Sequence, residues 1–152
     1  MRGETFAEQA AGADADCVRV AAGVFDALIR HSREDATLEC CGLLIGAGLE
    51  VTEAVPARNI ASDPATRFTI EPEDHIKARR AARASGLNVI GFYHSHPRTA
   101  ATPSETDIAE NSYPGVIHAI VSLAGATPVV RMFRFAAGGY STLRVDSLAP
   151  QI

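Results

Sequence analysis

The chain has 152 residues, of which 47% are hydrophobic and 21% charged, the composition of one globular domain rather than of a membrane or disordered protein. Its formal net charge of -4 argues against a general nucleic-acid binder, because such proteins need a basic surface to displace counterions from phosphates. No stretch approaches the roughly 20 apolar residues that span a bilayer, and the N-terminus lacks the apolar core of a secretory signal. We therefore expect a cytoplasmic protein that binds neither nucleic acid nor membrane.

The first third of the chain predicts one helix and a hairpin. Apolar residues recur at helical spacing over residues 21–33, which predicts an amphipathic helix that faces the core. Residues 41–45 and 49–55 read as two strands, joined by the Gly-Ala-Gly turn at 46–48. We expect Pro56 to mark the end of the second strand.

The middle of the chain predicts a second helix followed by a strand. A short extended segment at 68–70 precedes Pro72, which suits a first helical turn, and acidic residues cluster at that end of the helix. Gly86 is expected to stop the helix. Residues 87–94 then alternate as a strand that buries at least one face.

The last third predicts a short helix and three strands. The helix extends over residues 104–111 and is closed by the Pro-Gly pair at 114–115. Strands follow at 116–123, 128–135 and 140–145, separated by short loops.

These elements predict an α+β fold with α/β-like features. Short loops between successive strands favour a mixed, mostly antiparallel sheet packed with two to three helices. Residues 1–16 are rich in Ala, Gly and acidic residues without apolar periodicity, so we expect a loose arm there and a single domain over 17–152. The three cysteines contain no C-x-x-C pair. Sulfur chemistry at the adjacent Cys40 and Cys41 is conceivable, but small buried hydrophobes are the commoner use of free cysteine.

A histidine pair at the end of the fourth predicted strand is the main sign of chemistry. His94 and His96 are two residues apart on an extended chain, so both imidazoles lie on one face and can reach one ion. Asp107, on the first turn of the short helix, is a third candidate ligand. Two neutral imidazoles and one carboxylate leave tetrahedral zinc an open position for water, which is the arrangement of a hydrolytic centre.

Each part of this pattern also has an ordinary structural explanation. A His-x-His pair occurs by chance in strands, where it is usually solvated or hydrogen-bonded. Ser104 and Asp107 form a capping-box pattern, which starts a helix without any metal. His118, in an apolar strand, is more often a satisfied core histidine than a ligand. Rival metal motifs fit poorly, because a metallo-β-lactamase needs Asp where Arg98 stands and a cupin needs Glu soon after His96.

Three segments together resemble the JAMM (MPN+) family of metallopeptidases. They are Glu39 within LECCGLLIG, then GFYHSHP at 91–97, then PSETD at 103–107, and the likeness extends over about residues 21–135. The resemblance implies a compact prokaryotic-type MPN domain with one zinc per chain, bound by His94, His96 and Asp107. It implies that Glu39 is the general base and that Ser104 helps to hold the water and the developing oxyanion.

The resemblance also suggests what the protein acts on. It implies a peptidase or isopeptidase that hydrolyses the bond at the C-terminal tail of a ubiquitin-like or sulfur-carrier protein. The short segment between His96 and Ser104 lacks the insertions of ubiquitin-chain-specific relatives, so we do not expect ubiquitin-chain selectivity. Two alternatives remain open: a non-catalytic MPN-type scaffold for protein interactions, and a peptidase acting on cell-wall or phage-tail peptides.

Overall fold

The computed structural model describes residues 16–110 and 113–148, which contain three helices and seven strands. The helices are α1 (Val24–Glu34), α2 (Pro72–Ala84) and α3 (Glu105–Ala109). The strands are β1 (Cys17–Val20), β2 (Cys41–Ala47), β3 (Glu50–Ala57), β4 (Asn88–His96), β5 (Ile117–Ser122), β6 (Val129–Ala136) and β7 (Gly139–Ser147). Of the loose arm expected at residues 1–16, residues 1–15 lie outside the described residues. The boundary of the single domain therefore stays a prediction.

The strands form one closed sheet in the order β1-β3-β2-β4-β5-β6-β7. Four neighbouring pairs are antiparallel and three are parallel, the parallel ones being β1 with β3, β1 with β7, and β4 with β5. The expected mixed sheet with two to three helices is thus confirmed. The α+β label fits only loosely, because closure makes the sheet a barrel rather than an open layer.

The strand that closes the barrel was absent from our sequence prediction. β1 pairs in parallel with β7 over Cys17–Val20 and with β3 at Glu50 and Val51. Four residues are too few to show a period, and both partners are distant in sequence, so the local pattern carries no sign of this strand. The expected end at Pro56 is also shifted, since β3 continues to Ala57. Pro56 lies beyond the residues of β3 that pair with β1, where a missing N–H is tolerated.

The two longer helices cover different parts of the barrel. α1 packs Val24 and Leu28 into a core with Leu44 and Tyr93. α2 packs Ala78 and Ala82 against a second cluster that includes Phe92. Glu71 caps α2 by accepting the Glu73 backbone N–H, and Gly86, at a φ of 76°, ends it as predicted.

The barrel holds β4 between β2 and β5 over the part of the strand that carries the histidines. His94 is paired with Cys41 on one side and with Ile120 on the other. Gly91 lies at the close approach of β4 to β5, where a Cβ atom would overlap the backbone carbonyl of Ile117. The end of β4 is therefore fixed by its neighbouring strands, which suits side chains that must be held in defined positions. Among the described residues, no helix is long and apolar enough to cross a membrane.

Candidate metal centre

His94, His96 and Asp107 meet at the C-terminal end of β4. Strand alternation places both imidazoles on one face, and the loop after Pro97 returns the chain so that the first turn of α3 brings Asp107 beside them. All three side chains are buried, and His94 is 0% exposed. The three predicted ligands therefore come together as the spacing of the sequence indicated.

The facing atoms of these three residues have the spacing that one metal ion requires. His94 Nε2, His96 Nε2 and Asp107 Oδ2 are each 3.1 Å from the other two. Tetrahedral zinc with bonds of roughly 2.0–2.1 Å keeps its ligand atoms about 3.3 Å apart. The donor set, two imidazoles and one carboxylate, is also one that zinc accepts with a position left open. The residues present fit zinc.

The charges of Asp107 and His94 suit a cation as well. Burial would raise the pKa of Asp107, but the facing His94 and His96 rings outweigh it and hold that pKa well below its usual range. Burial lowers the pKa of His94, more than Asp107 raises it. Asp107 is therefore ionised and His94 neutral, as metal ligands must be.

Each imidazole is also held through its second nitrogen. His96 Nδ1 lies 2.7 Å from the Ala100 carbonyl oxygen, which can only accept, so this nitrogen carries the proton and Nε2 keeps its lone pair when the ring is neutral. His94 Nδ1 lies 2.7 Å from His118 Nε2. Hydrogen bonds of this kind fix the orientation of metal-binding histidines.

His118 therefore has a contact that our sequence prediction missed. The residue is buried, as expected of a core histidine, but its hydrogen-bond partner is a candidate metal ligand. The parallel register pairs His118 with Phe92, which lies on the same face of β4 as His94. Strand alternation places His118 on the matching face, but only knowledge of the parallel β4–β5 pairing could have linked the two histidines.

Glu39 lies next to the donor set with a buried carboxyl group. Its backbone N–H donates to the Pro64 carbonyl at 2.8 Å, and its carbonyl accepts from the Asn59 side chain at 3.0 Å. The residue is 6% exposed, and Oε1 is buried without a hydrogen-bond partner among the described residues. Burial and the nearby Asp107 carboxylate raise the pKa of Glu39 to about 7. An orphaned buried oxygen beside three metal-donor atoms is what a missing cation and its water would leave behind.

The cost of ionising this buried carboxyl group has a measurable effect on stability. In metal-free protein, Glu39→Gln is expected to raise the free energy of unfolding by about 1–3 kcal/mol at pH 8 and to change it little at pH 4. The folded-state pKa of Glu39, about 7, exceeds its ordinary value of 4.5, so the penalty develops as pH rises between these values and is complete above them. Chemical denaturation of chelator-treated protein at both pH values measures the difference. An equal gain at pH 4 and pH 8 would show that charge is not its cause.

Ser104 combines the two roles that the sequence left open. Its Oγ accepts the Asp107 backbone N–H at 3.0 Å, and Asp107 Oδ2 accepts the Ser104 backbone N–H at 2.9 Å, which is a complete capping box. The same Oδ2 atom faces both imidazoles. The cap and the donor set are thus one arrangement, and the Ser104 hydroxyl proton is not used by the cap.

Ser95 and the cysteines serve structure. Ser95 points away from the donor set, and its Oγ accepts the Cys40 backbone N–H at 2.8 Å while its own N–H donates to the Cys40 carbonyl. These two bonds tie β4 to the residue that follows Glu39. Burial raises the pKa of Cys40 to about 11 and that of Cys41 to about 12, so both thiols stay protonated and unreactive.

An apolar cavity of about 350 Å³ adjoins the donor set. Asp107 and His118 contribute to its wall, together with aromatic residues that include Phe68, Phe92 and Phe135. At its edge, Arg67 and Glu110 form a salt bridge of 3.3 Å between the segment before α2 and the end of α3. Concave apolar walls with a few polar groups are typical of a binding site.

Comparison with known proteins agrees with this geometry. Residues 21–136 match the family described as prokaryotic homologs of the JAB domain. A protein from Haloferax volcanii named desampylase is 36% identical over 112 aligned positions, and the match covers 70% of this chain and 81% of that protein. A Mycobacterium tuberculosis protein named CysO-cysteine peptidase is 30% identical over 105 residues, 68% of this chain and 71% of that one.

A solved structure extends the likeness to the fold. The solution structure of a Desulfitobacterium hafniense protein superposes with a TM-score of 0.79 at 26% identity, covering 88% of this chain and 94% of that one. The family match spans β2 to β6 and includes every candidate site residue. The chain therefore belongs to the prokaryotic JAB-domain family, and the resemblance to JAMM (MPN+) metallopeptidases is confirmed.

Proposed function

We propose that the protein is a zinc-dependent peptidase or isopeptidase that hydrolyses the bond at the C-terminal tail of a ubiquitin-like or sulfur-carrier protein. The observation that carries the proposal is the triangle of donor atoms 3.1 Å apart beside the unpartnered oxygen of Glu39. The names of two relatives, desampylase and CysO-cysteine peptidase, support a peptidase that acts on a protein conjugate. The cytoplasmic location expected from the sequence is part of the proposal.

The metal would be held by His94 Nε2, His96 Nε2 and Asp107 Oδ2. A zinc ion bound there supplies a Lewis acid that polarises the attacked carbonyl and lowers the pKa of water to about 7. The protein's own contribution is to keep the three donors fixed, since β4, the Ala100 carbonyl and the α3 cap each hold one of them. Such preorganisation avoids rearrangement during the reaction.

Glu39 is assigned the proton transfers. A buried carboxylate beside the three donor atoms is placed to take a proton from the attacking water and return it to the leaving amine. The Oε1 atom has no partner among the described residues, so no existing hydrogen bond must break before it acts. The Ser104 hydroxyl, whose proton is not used by the helix cap, donates to the developing negative oxygen of the attacked carbonyl.

Glu39 also weighs against a non-catalytic scaffold. A buried carboxylate without a hydrogen-bond partner destabilises the fold, and a scaffold would gain stability by losing it. Its retention beside three intact donors favours catalysis. A peptidase that acts on cell-wall or phage-tail peptides would use the same centre, so only the choice of substrate distinguishes that alternative.

The test is cleavage of a defined carrier. A ubiquitin-like carrier with Gly-Gly followed by a short extension is incubated with zinc-loaded protein, and mass spectrometry follows loss of the extension. We expect cleavage after Gly-Gly, its loss on treatment with a chelator, and its return when zinc is restored. A carrier with Ala-Ala in place of Gly-Gly is the matched control.

Two results would contradict the proposal in different ways. Failure to bind zinc after reconstitution would remove the metal centre itself. Zinc binding without cleavage of either the linear extension or an isopeptide-linked lysine would favour the scaffold, and cleavage of cell-wall peptides instead would favour the other peptidase.

A further inference from the structure

We propose that His118 is a positioning residue of the metal centre: its Nε2 accepts the Nδ1–H of His94 and so keeps His94 Nε2 directed at the zinc. The inference deepens the proposed function and rests on it, because it assigns a role to a residue outside the donor set. The observation is the 2.7 Å contact between His94 Nδ1 and His118 Nε2, two nitrogens on neighbouring strands.

The direction of this hydrogen bond follows from the geometry of the donors. His94 Nε2 is the atom 3.1 Å from both His96 Nε2 and Asp107 Oδ2, so it is the nitrogen that must offer a lone pair to a cation. A neutral imidazole then carries its proton on Nδ1. The only role left for His118 Nε2 is to accept that proton, and His118 must carry its own proton on Nδ1.

The surroundings keep both rings in this arrangement. Phe68 stacks on His94 with ring centres 4.4 Å apart, and Phe135 meets the His118 ring edge to face at 5.3 Å. His94 is 0% exposed and His118 is 6% exposed. Water has little access to replace the hydrogen bond, so loss of the acceptor would leave the His94 Nδ1–H buried and unpaired.

An imidazole acceptor differs from the carboxylate that often supports a metal-binding histidine. A carboxylate would add a negative charge beside the ligand and make it more basic. Neutral His118 orients His94 without that charge, so Asp107 remains the one anion of the donor set. His96 is likewise held by an uncharged acceptor, the Ala100 carbonyl.

Zinc affinity of two His118 variants tests the proposal without any activity assay. His118→Leu keeps the approximate volume but removes the acceptor, and we expect its zinc dissociation constant, from chelator competition, to rise about 10–100-fold. His118→Gln offers an acceptor oxygen and is expected to recover most of that loss. His31→Leu is the matched control, because it removes a partly buried histidine bonded to Tyr93 on the far side of β4 and should leave zinc affinity unchanged.

The outcomes separate this inference from the proposed function. Equal weakening in both His118 variants, or none in His118→Leu, would overturn the positioning role while wild-type zinc binding and cleavage still supported the peptidase. A wild type that binds no zinc would instead defeat the proposed function. If His118→Leu fails to fold, nitrogen-15 NMR of the zinc-loaded wild type decides: a proton on His118 Nδ1 supports the proposal, and a proton on Nε2 overturns it.

Discussion

Glu39→Gln is expected to lower kcat/KM for cleavage of a carrier tail by about 10²–10⁴-fold, the usual contribution of a general base, while zinc binding is retained. Gln has nearly the same shape but cannot take a proton from water. Glu39 is outside the donor triangle, so the substitution leaves all three ligand atoms in place. The loss should therefore lie in kcat, with little change in the amount of zinc bound.

Elemental analysis and steady-state kinetics on the same preparation check this result. Glu53→Gln, at an exposed position of β3, is the control for loss of one negative charge, and its activity should equal that of the wild type. Full activity in Glu39→Gln would show that the proton is transferred by another group. Loss of zinc together with activity would instead assign Glu39 to the metal site.

His96→Ala is expected to weaken zinc binding by about 10²–10³-fold, because it removes one of three protein donors and the four ligands of a zinc finger together contribute roughly 10–16 kcal/mol. Two contacts disappear together, the Nε2 donor and the Nδ1 hydrogen bond to Ala100 that holds the loop after β4. After dialysis against a mild chelator, the variant should contain almost no zinc and cleave no substrate.

His75→Ala provides the comparison for loss of a histidine near the cavity. His75 contacts Phe92 and Tyr113 and lies outside the donor set, so its removal should leave the zinc content at the wild-type value. Retention of stoichiometric zinc by His96→Ala would show that the three donors do not act as one site.

The candidate site could be predicted from the sequence because its determinants are local. Strand alternation places His94 and His96 on one face, and a capping box fixes where Asp107 begins a helix. β1 and the role of His118 could not be predicted, because each depends on a parallel pairing between strands distant in sequence. These parallel pairings also close the sheet into a barrel. The sequence therefore predicted the mixed sheet and the helices correctly but did not predict that the sheet closes.

The two hydrogen bonds between Ser95 and Cys40 bear on how this enzyme can diversify. They join the strand that carries His94 and His96 to the residue that follows Glu39, so the spacing between Glu39 and the donor set is fixed by these contacts and by strand register. The surface loops at 59–66 and 97–103 touch the site at a few positions only: Asn59 and Pro64 bond the Glu39 backbone, and the Ala100 carbonyl bonds His96. The other positions of these loops can change sequence under selection for a new substrate while the hydrolytic chemistry is conserved.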